Sequence, residues 1–235
     1  MIGRRGLRVG LLCMVTLAGT ARAQVIAKAA APFRGNAVAG RELADSERCV
    51  ECHGADGQAS HHADAVEGKF PRLAGQSPDY LMKQLRDLRG GARKNDFMSI
   101  MARSIDDTTA ADIVAFFASL PPMHGDGDAA ASDATGRALY ERGAPARAIP
   151  ACASCHGERA QGQRINDLHV PRLAGQTGRY LERQLLDWRS GERSNSAGGA
   201  MNAAVRGLDD ADIQSLARYL SGLGGTPLSP QGLAP

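Results

Sequence analysis

The hydrophobic positions of the chain follow helical spacing in two long segments of each half. In one kind of segment, apolar residues recur every three or four positions before glycines, at Tyr80, Leu81, Leu85 and Leu88 and again at Tyr180, Leu181, Leu185 and Trp188. In the other kind, two aspartates precede the apolar residues, which are Ile113, Phe116 and Phe117 and then Ile213, Leu216 and Leu220. Shorter helices are expected from about Ala39 and Gly136. Because the period-two alternation of strands is absent, an all-α fold is predicted.

The sequence contains an internal duplication. The pentapeptide Cys49-Val50-Glu51-Cys52-His53 recurs 103 residues later as Cys152-Ala153-Ser154-Cys155-His156, and the block Pro71 to Gln76 recurs identically as Pro171 to Gln176. The register shifts twice by three residues, in polar or glycine-rich stretches where loops absorb length at small cost. The chain therefore holds two copies of a domain of about 100 residues.

The ends of these domains are also predicted from composition. Pro121-Pro122 ends a helix, and residues 123–132 are rich in Gly, Asp and Ala, as linkers are. The first 23 residues combine three arginines, a short apolar run and the cleavage site Ala21-Arg22-Ala23, which is typical of a secretory signal. The predicted boundaries are a signal peptide at 1–23, a first domain at 24–122, a linker at 123–132 and a second domain at 133–235.

Removal of the signal changes the charge and the cysteine count. Cleavage removes Arg4, Arg5, Arg8 and Arg22 from the 28 basic residues and leaves 24 against 25 acidic ones, a net charge of about −1 instead of +3. A basic surface for nucleic acid is therefore not indicated. Cys13 leaves as well, so four cysteines remain in an exported protein, where unpaired thiols are unusual.

The repeated Cys-x-x-Cys-His pentapeptide is the attachment pattern of c-type haem. Two thiols on one helical turn can both add to the vinyl groups of one porphyrin, and the histidine that follows is then close enough to ligate the iron. Aromatic residues make up only 4% of the chain, so a porphyrin would be the largest apolar body in each core. Two covalently bound haem c groups are predicted.

Three other interpretations of the motif fit less well. A thioredoxin-like redox pair lies near a βαβ unit, and no strands are predicted. A structural zinc site needs four ligands, whereas each repeat offers two cysteines and one histidine. A disulfide within either pair leaves the duplicated histidines unexplained.

The sixth iron ligand is sought among the methionines, since Met is a common second axial ligand in electron-transfer haems. Met201 is the only methionine of the second repeat, and it follows His156 by 45 residues. Met98 follows His53 by the same 45 residues, which favours it in the first repeat. Met101 remains the rival, whereas Met82 is interpreted as core filler and Met123 falls in the linker.

Other repeated residues have expected positions near the haem. The Pro71 and Pro171 carbonyls are expected to hold the proximal imidazoles. Arg72 and Arg172 either balance haem propionates or lie on the solvated surface, and Tyr80 and Tyr180 either pack on the porphyrin or fill a helix interface. The remaining histidines, His61, His62, His124 and His169, are interpreted as solvated loop side chains.

These motifs together resemble the cytochrome c4 family, the dihaem class I cytochromes c. The resemblance covers residues 36 to 223 and implies two tandem class I domains, related by a pseudo-twofold axis, with His/Met-ligated haems. It assigns one haem and its iron to Cys49, Cys52, His53 and Met98 and the other to Cys152, Cys155, His156 and Met201. One departure is the glycine-rich segment 194–200, which leaves the path to Met201 open.

The resemblance also implies a function. The expected protein is a periplasmic electron carrier without enzymatic activity, between a quinol-oxidising complex (quinol–cytochrome c reductase) and a terminal oxidase or other acceptor. Six-coordinate iron has no open position for a substrate, which favours outer-sphere electron transfer. A dihaem subunit of a periplasmic dehydrogenase is the alternative, and a dihaem peroxidase is disfavoured by the near-identical repeats. A monomer is expected, and peripheral membrane association stays open.

Overall fold

Within the residues that the structure describes, each half of the chain contains five α-helices in the same order. The computed structural model describes residues 33–59, 70–127 and 132–224, so the predicted signal peptide, His61 and His62 lie outside the described residues. The helices of the first half are α1 (Ala37–Ser46), α2 (Cys49–His53), α3 (Pro78–Gly90), α4 (Asp96–Ser104) and α5 (Asp107–Ser119). Those of the second half are α6 (Ala134–Arg142), α7 (Ala153–His156), α8 (Gly178–Ser190), α9 (Ala200–Val205) and α10 (Asp210–Gly222). The predicted all-α class is confirmed.

A short β-hairpin in the second half was not predicted from the sequence pattern. Strand β1 (Gln163–Ile165) pairs antiparallel with β2 (Leu168–Val170). The prediction that strands are absent is wrong here, because three residues are too few for an alternating pattern to stand out. His169 lies in β2, where its Nε2 is 3.3 Å from the Asp79 carboxylate of α3, so its interpretation as a solvated loop residue is also wrong. His124 is exposed, as expected.

The helix ends follow from local sequence. The side chain of Asn36 caps α1, and those of Asp106 and Asp209 accept hydrogen bonds from backbone N–H groups in the first turns of α5 and α10. At their other ends, α3 and α8 stop at Gly91 and Gly191, which have φ of 81° and 87°. Glycine adopts this left-handed conformation without strain, which explains why the apolar pattern ends in glycines.

The first and last helices of each half cross at a glycine. A Cβ atom added to Gly40 of α1 would lie 1.8 Å from the Asp112 carbonyl oxygen of α5, and one added to Gly136 of α6 would lie 2.1 Å from the Ser215 carbonyl oxygen of α10. The absence of a side chain therefore lets the two backbones come into direct contact. This crossing fixes the helix that precedes each Cys-x-x-Cys-His motif.

Each half has its own hydrophobic core. The core of the first half is built around Phe116, Phe117 and Ile113, and that of the second around Tyr140, Trp188 and Ile213. All the described residues belong to one compact unit, and no helix among them has an apolar stretch long enough to cross a bilayer.

Reciprocal hydrogen bonds join the two halves. The Gln76 side chain accepts from the Arg172 backbone N–H at 2.9 Å and donates to the Arg172 carbonyl at 3.0 Å. The Gln176 side chain makes the same two bonds to the Arg72 backbone, at 2.8 and 2.9 Å. We call these four bonds the amide clamp. Because the bonds from Gln76 to Arg172 have the same pattern as those from Gln176 to Arg72, the clamp has the symmetry of a pseudo-twofold axis.

Candidate haem sites

The two Cys-x-x-Cys-His motifs occupy short helices at matching places in the fold. Cys49 begins α2 and Cys152 directly precedes α7, and each contacts the core of its own half. Both are half-buried, as is Cys52, whereas Cys155 is exposed, and all four are free thiols. Burial raises the pKa of the Cys49 and Cys152 thiols to about 11, so both stay protonated near neutral pH.

Both motif histidines are buried and held by a proline carbonyl. The Nδ1 atom of His53 lies 2.9 Å from the Pro71 carbonyl oxygen, and that of His156 lies 3.0 Å from the Pro171 carbonyl oxygen. Since a carbonyl only accepts, Nδ1 carries the proton and Nε2 keeps its lone pair. Burial lowers the pKa of both imidazoles, which favours the neutral form that ligates a metal. The expected proline contacts are confirmed.

The candidate methionines lie on α4 and α9. Met201 of α9 is half-buried and contacts the same core as Cys152. Met98 and Met101 are both half-buried on α4, so their burial does not separate them. Met82 lies in the first core, as expected of a core filler. Met123 is fully buried, which its place in a polar predicted linker did not indicate.

Arg172 is a buried arginine whose guanidinium is only partly hydrogen-bonded. It is only 2% exposed, so a position on the solvated surface is wrong for this residue. Its Nε donates to the Gly75 carbonyl, whereas Nη1 and Nη2 are buried without any hydrogen-bond partner. Burial without a counter-ion lowers the pKa of the guanidinium to about 10. An anionic group such as a haem propionate would satisfy both nitrogens.

The equivalent arginine of the first half is neutralised by the protein itself. Arg72 donates to the Gly175 carbonyl at 2.6 Å and forms an ion pair with Asp126 at 2.8 Å. Asp126 follows the last helix of the first half, and its backbone N–H donates to the Ser221 carbonyl of α10. The two arginines of the repeated block therefore have different surroundings despite identical sequence.

A second reciprocal cluster lies between α3 and α8 and the loops that follow them. It consists of Tyr80, Gln84, Arg93, Tyr180, Gln184 and Arg193. Arg93 donates to the Tyr180 hydroxyl at 2.8 Å and to Gln184 at 3.0 Å, while Arg193 donates to the Tyr80 hydroxyl at 3.2 Å and to Gln84 at 3.0 Å. Burial alone raises the pKa of Tyr180, but the two guanidinium groups outweigh it and the pKa falls below its ordinary value. The tyrosines thus fill a helix interface.

This cluster was not predicted from the sequence, although a signal was present. Gln84 and Arg93 recur at the same offset as Gln184 and Arg193. Polar residues repeated so strictly in an amphipathic segment indicate a shared buried contact between the copies.

The described residues suit a haem in each half. In both halves a neutral buried imidazole with a free Nε2 and thiols on the adjacent helical turn match a covalently held iron porphyrin. In the second half the unpartnered guanidinium of Arg172 also matches an anionic propionate. Among the same residues, no group of three or more His, Cys, Asp or Glu side chains converges as a protein-only metal site requires. The donor set therefore fits haem better than zinc.

Comparison with known proteins agrees with this chemistry. The sequence model of the family described as cytochrome c matches the chain twice, at residues 37–121 and 134–224. The chain is 35% identical to cytochrome c4 of Thiocapsa roseopersicina, over 83% of this chain and 97% of that protein. It is 36% identical to a thiosulfate dehydrogenase electron acceptor of Stutzerimonas stutzeri, over 75% of this chain and 79% of that protein. The crystal structure of reduced recombinant cytochrome c4 from Pseudomonas stutzeri is similar to this chain, with a TM-score of 0.69 and 33% sequence identity. The match covers 81% of this chain and 100% of the chain in that crystal structure.

These similarities extend over both repeats and nearly the full length of the cytochrome c4 relatives. They account for two covalently bound haem c groups, one in each half, and for an electron carrier rather than an enzyme. The chain belongs to the cytochrome c family, as a dihaem electron-transfer protein of the cytochrome c4 type.

Proposed function

We propose that Cys49, Cys52, His53 and Met98 hold the first haem and that Cys152, Cys155, His156 and Met201 hold the second. The observation that carries this proposal is the pair of buried imidazoles, each fixed through Nδ1 with Nε2 unprotonated directly after two free thiols. The haem supplies reversible one-electron chemistry at its iron. The protein orients the ligands, keeps water from the imidazoles and sets the local charge.

Covalent attachment is tested on the exported holoprotein. The mass is expected to exceed that of the cleaved polypeptide by two haems, and acid–acetone is expected to leave the pigment on the chain. Release of the pigment, or a mass without haem, would contradict the assignment of the four cysteines.

The methionine assignment makes a separate prediction. Met201→Ala and Met98→Ala are each expected to remove about half of the weak long-wavelength absorption band that marks a Met–Fe(III) bond, because each haem loses its thioether ligand. Met101→Ala is the matched control on the same helix as Met98 and should keep the band. If Met101→Ala removes it while Met98→Ala does not, Met101 is the ligand.

Arg172 is proposed to pair with a propionate of the second haem. Arg172→Met is expected to lower the reduction potential of one haem by some tens of millivolts, since loss of a buried positive charge favours the ferric state. A spectroelectrochemical titration measures both potentials. Arg179→Met removes a charge from an exposed position and should leave them unchanged. Equal potentials in the wild type and Arg172→Met would place the propionate elsewhere.

We propose a periplasmic location for the monomeric protein after cleavage of residues 1–23, and domain boundaries at 24–122 and 133–235. The proposed donor is a quinol-oxidising complex and the proposed acceptor a terminal oxidase. A dihaem subunit of a periplasmic dehydrogenase is the second candidate. The relative named as a thiosulfate dehydrogenase electron acceptor favours that alternative. Stable co-purification with a dehydrogenase subunit would support the second candidate, and its absence the first.

A further inference from the structure

One helix surface in the first half is apolar without being covered by the protein. Phe97 and Ile100 of α4 are 58% and 63% exposed, and they lie three residues apart on the same side of the helix. Only two other large apolar side chains among the described residues, Val38 and Leu168, are exposed. We call the surface formed by Phe97 and Ile100 the α4 patch.

The fold itself does not require the α4 patch. In the register that aligns Met98 with Met201, the equivalents of Phe97 and Ile100 are Ala200 and Ala203 of α9, both exposed. The second half thus builds the same helix with small side chains at these positions. Large apolar side chains are exposed here in one copy and replaced by alanine in the other. This difference indicates that the patch contacts another molecule.

The charges around the α4 patch are mostly positive. Lys94 lies three residues before Phe97 and Arg103 three residues after Ile100, and neither forms an ion pair with another described residue. Asp96 is the exposed acid of the same helix. Asp107 at the start of α5 pairs with both Arg86 and Arg89, so this group of three keeps one net positive charge. A complementary surface would be apolar at its centre and acidic at its rim.

The patch also lies beside an iron ligand of the proposed function. Met98 stands between Phe97 and Ile100 in sequence, with its side chain half-buried while theirs are exposed. If Met98 ligates the first haem, a partner that contacts Phe97 touches the residue next to the iron ligand. We propose that the α4 patch is the docking surface for a redox protein whose contact surface is apolar with an acidic rim, so that electrons enter or leave through the first haem. This step rests on the proposed assignment of Met98.

Electron-transfer rates test the proposal on the holoprotein. The protein probe is reduced flavodoxin, an acidic protein with an exposed apolar flavin edge, and the small control reductant is hexaammineruthenium(II). In each reaction one electron passes from the reductant to a ferric haem. Phe97→Ser/Ile100→Ser is expected to lower the second-order rate constant with flavodoxin about tenfold and to leave the rate with the ruthenium complex unchanged. Val38→Ser removes an apolar side chain of α1 that is even more exposed, at 79%, and should change neither rate.

Charge and competing occupants give further outcomes. Lys94→Gln/Arg103→Gln should weaken the salt dependence of the flavodoxin reaction. Unchanged flavodoxin rates in the patch variant would overturn the proposal, and equal losses with both reductants would place the effect at the haem and overturn it too. The proposal would also be overturned if the wild type formed concentration-dependent dimers, or bound anionic vesicles, and the patch variant did not. Loss of half of the long-wavelength band in Met98→Ala, but not in Met101→Ala, reports on the Met98 assignment separately, so failure of that assignment is distinguished from failure of docking.

Discussion

Gly40→Ala is expected to destabilise the first half by about 3 to 5 kcal/mol, although it adds a single methyl group. The added Cβ would lie 1.8 Å from the Asp112 carbonyl oxygen. That oxygen belongs to the backbone of α5, so relief requires α1 and α5 to separate and expose the core between them. Urea denaturation followed by far-ultraviolet circular dichroism measures the loss.

The same helix crossing in the second half offers an independent replicate. Gly136→Ala brings a Cβ within 2.1 Å of the Ser215 carbonyl oxygen and should cost a similar amount. Gly90→Ala is the matched control, since no described atom outside its own turn of helix lies within 4 Å of the added Cβ, and it should be neutral or stabilising by about 0.5 to 1 kcal/mol. Wild-type stability in Gly40→Ala would show that α1 and α5 do not cross as described.

Loss of the amide clamp is expected to uncouple the two halves. Gln76→Ala/Gln176→Ala removes the four hydrogen bonds of the clamp and leaves the backbone N–H and carbonyl groups of Arg72 and Arg172 without these partners between the repeats. A buried unsatisfied group costs about 1 to 3 kcal/mol, so the interaction between the halves should weaken by about 4 kcal/mol or more. Differential scanning calorimetry is expected to show a lower midpoint and two separate transitions.

The control for the clamp removes a glutamine that makes no such contact. Gln214 is exposed on α10, and Gln214→Ala should leave the calorimetric profile unchanged. The single variants Gln76→Ala and Gln176→Ala should have intermediate profiles. A double variant that unfolds in the same transition as the wild type would mean that the clamp contributes little to the contact between repeats.

Long, strongly periodic segments were predictable from sequence because their apolar faces are unambiguous. Helices α3, α5, α8 and α10 all lie where the spacing of Leu, Ile and aromatic residues placed them. The β1–β2 hairpin was not predictable, since its strands have three residues each. Strand β2 also contacts α3, as His169 and Asp79 do, and no local pattern reveals such a contact.

The haem motif and its proline contacts were also predictable, because attachment chemistry dictates residue type and spacing within five positions. Partners across the repeats were not, since a glutamine in an amphipathic segment has the same pattern whether it faces water or another backbone. Arg72 and Arg172 illustrate this limit. Their flanking sequences are identical from Pro to Gln, yet only Arg72 has a carboxylate partner, which comes from Asp126 outside the repeated block.

The reciprocity of the amide clamp limits how far the two copies of the duplicated gene segment can drift apart. A change at Gln76 leaves the backbone N–H and carbonyl of Arg172 in the other copy without their clamp partner, so a change in one copy has a cost in the other. Outward-facing positions have no such constraint. The two copies already differ there, for example at the exposed equivalent residues Phe97 and Ala200. After the duplication, the residues that join the two halves are therefore constrained together, whereas the outward-facing residues of each half can change independently.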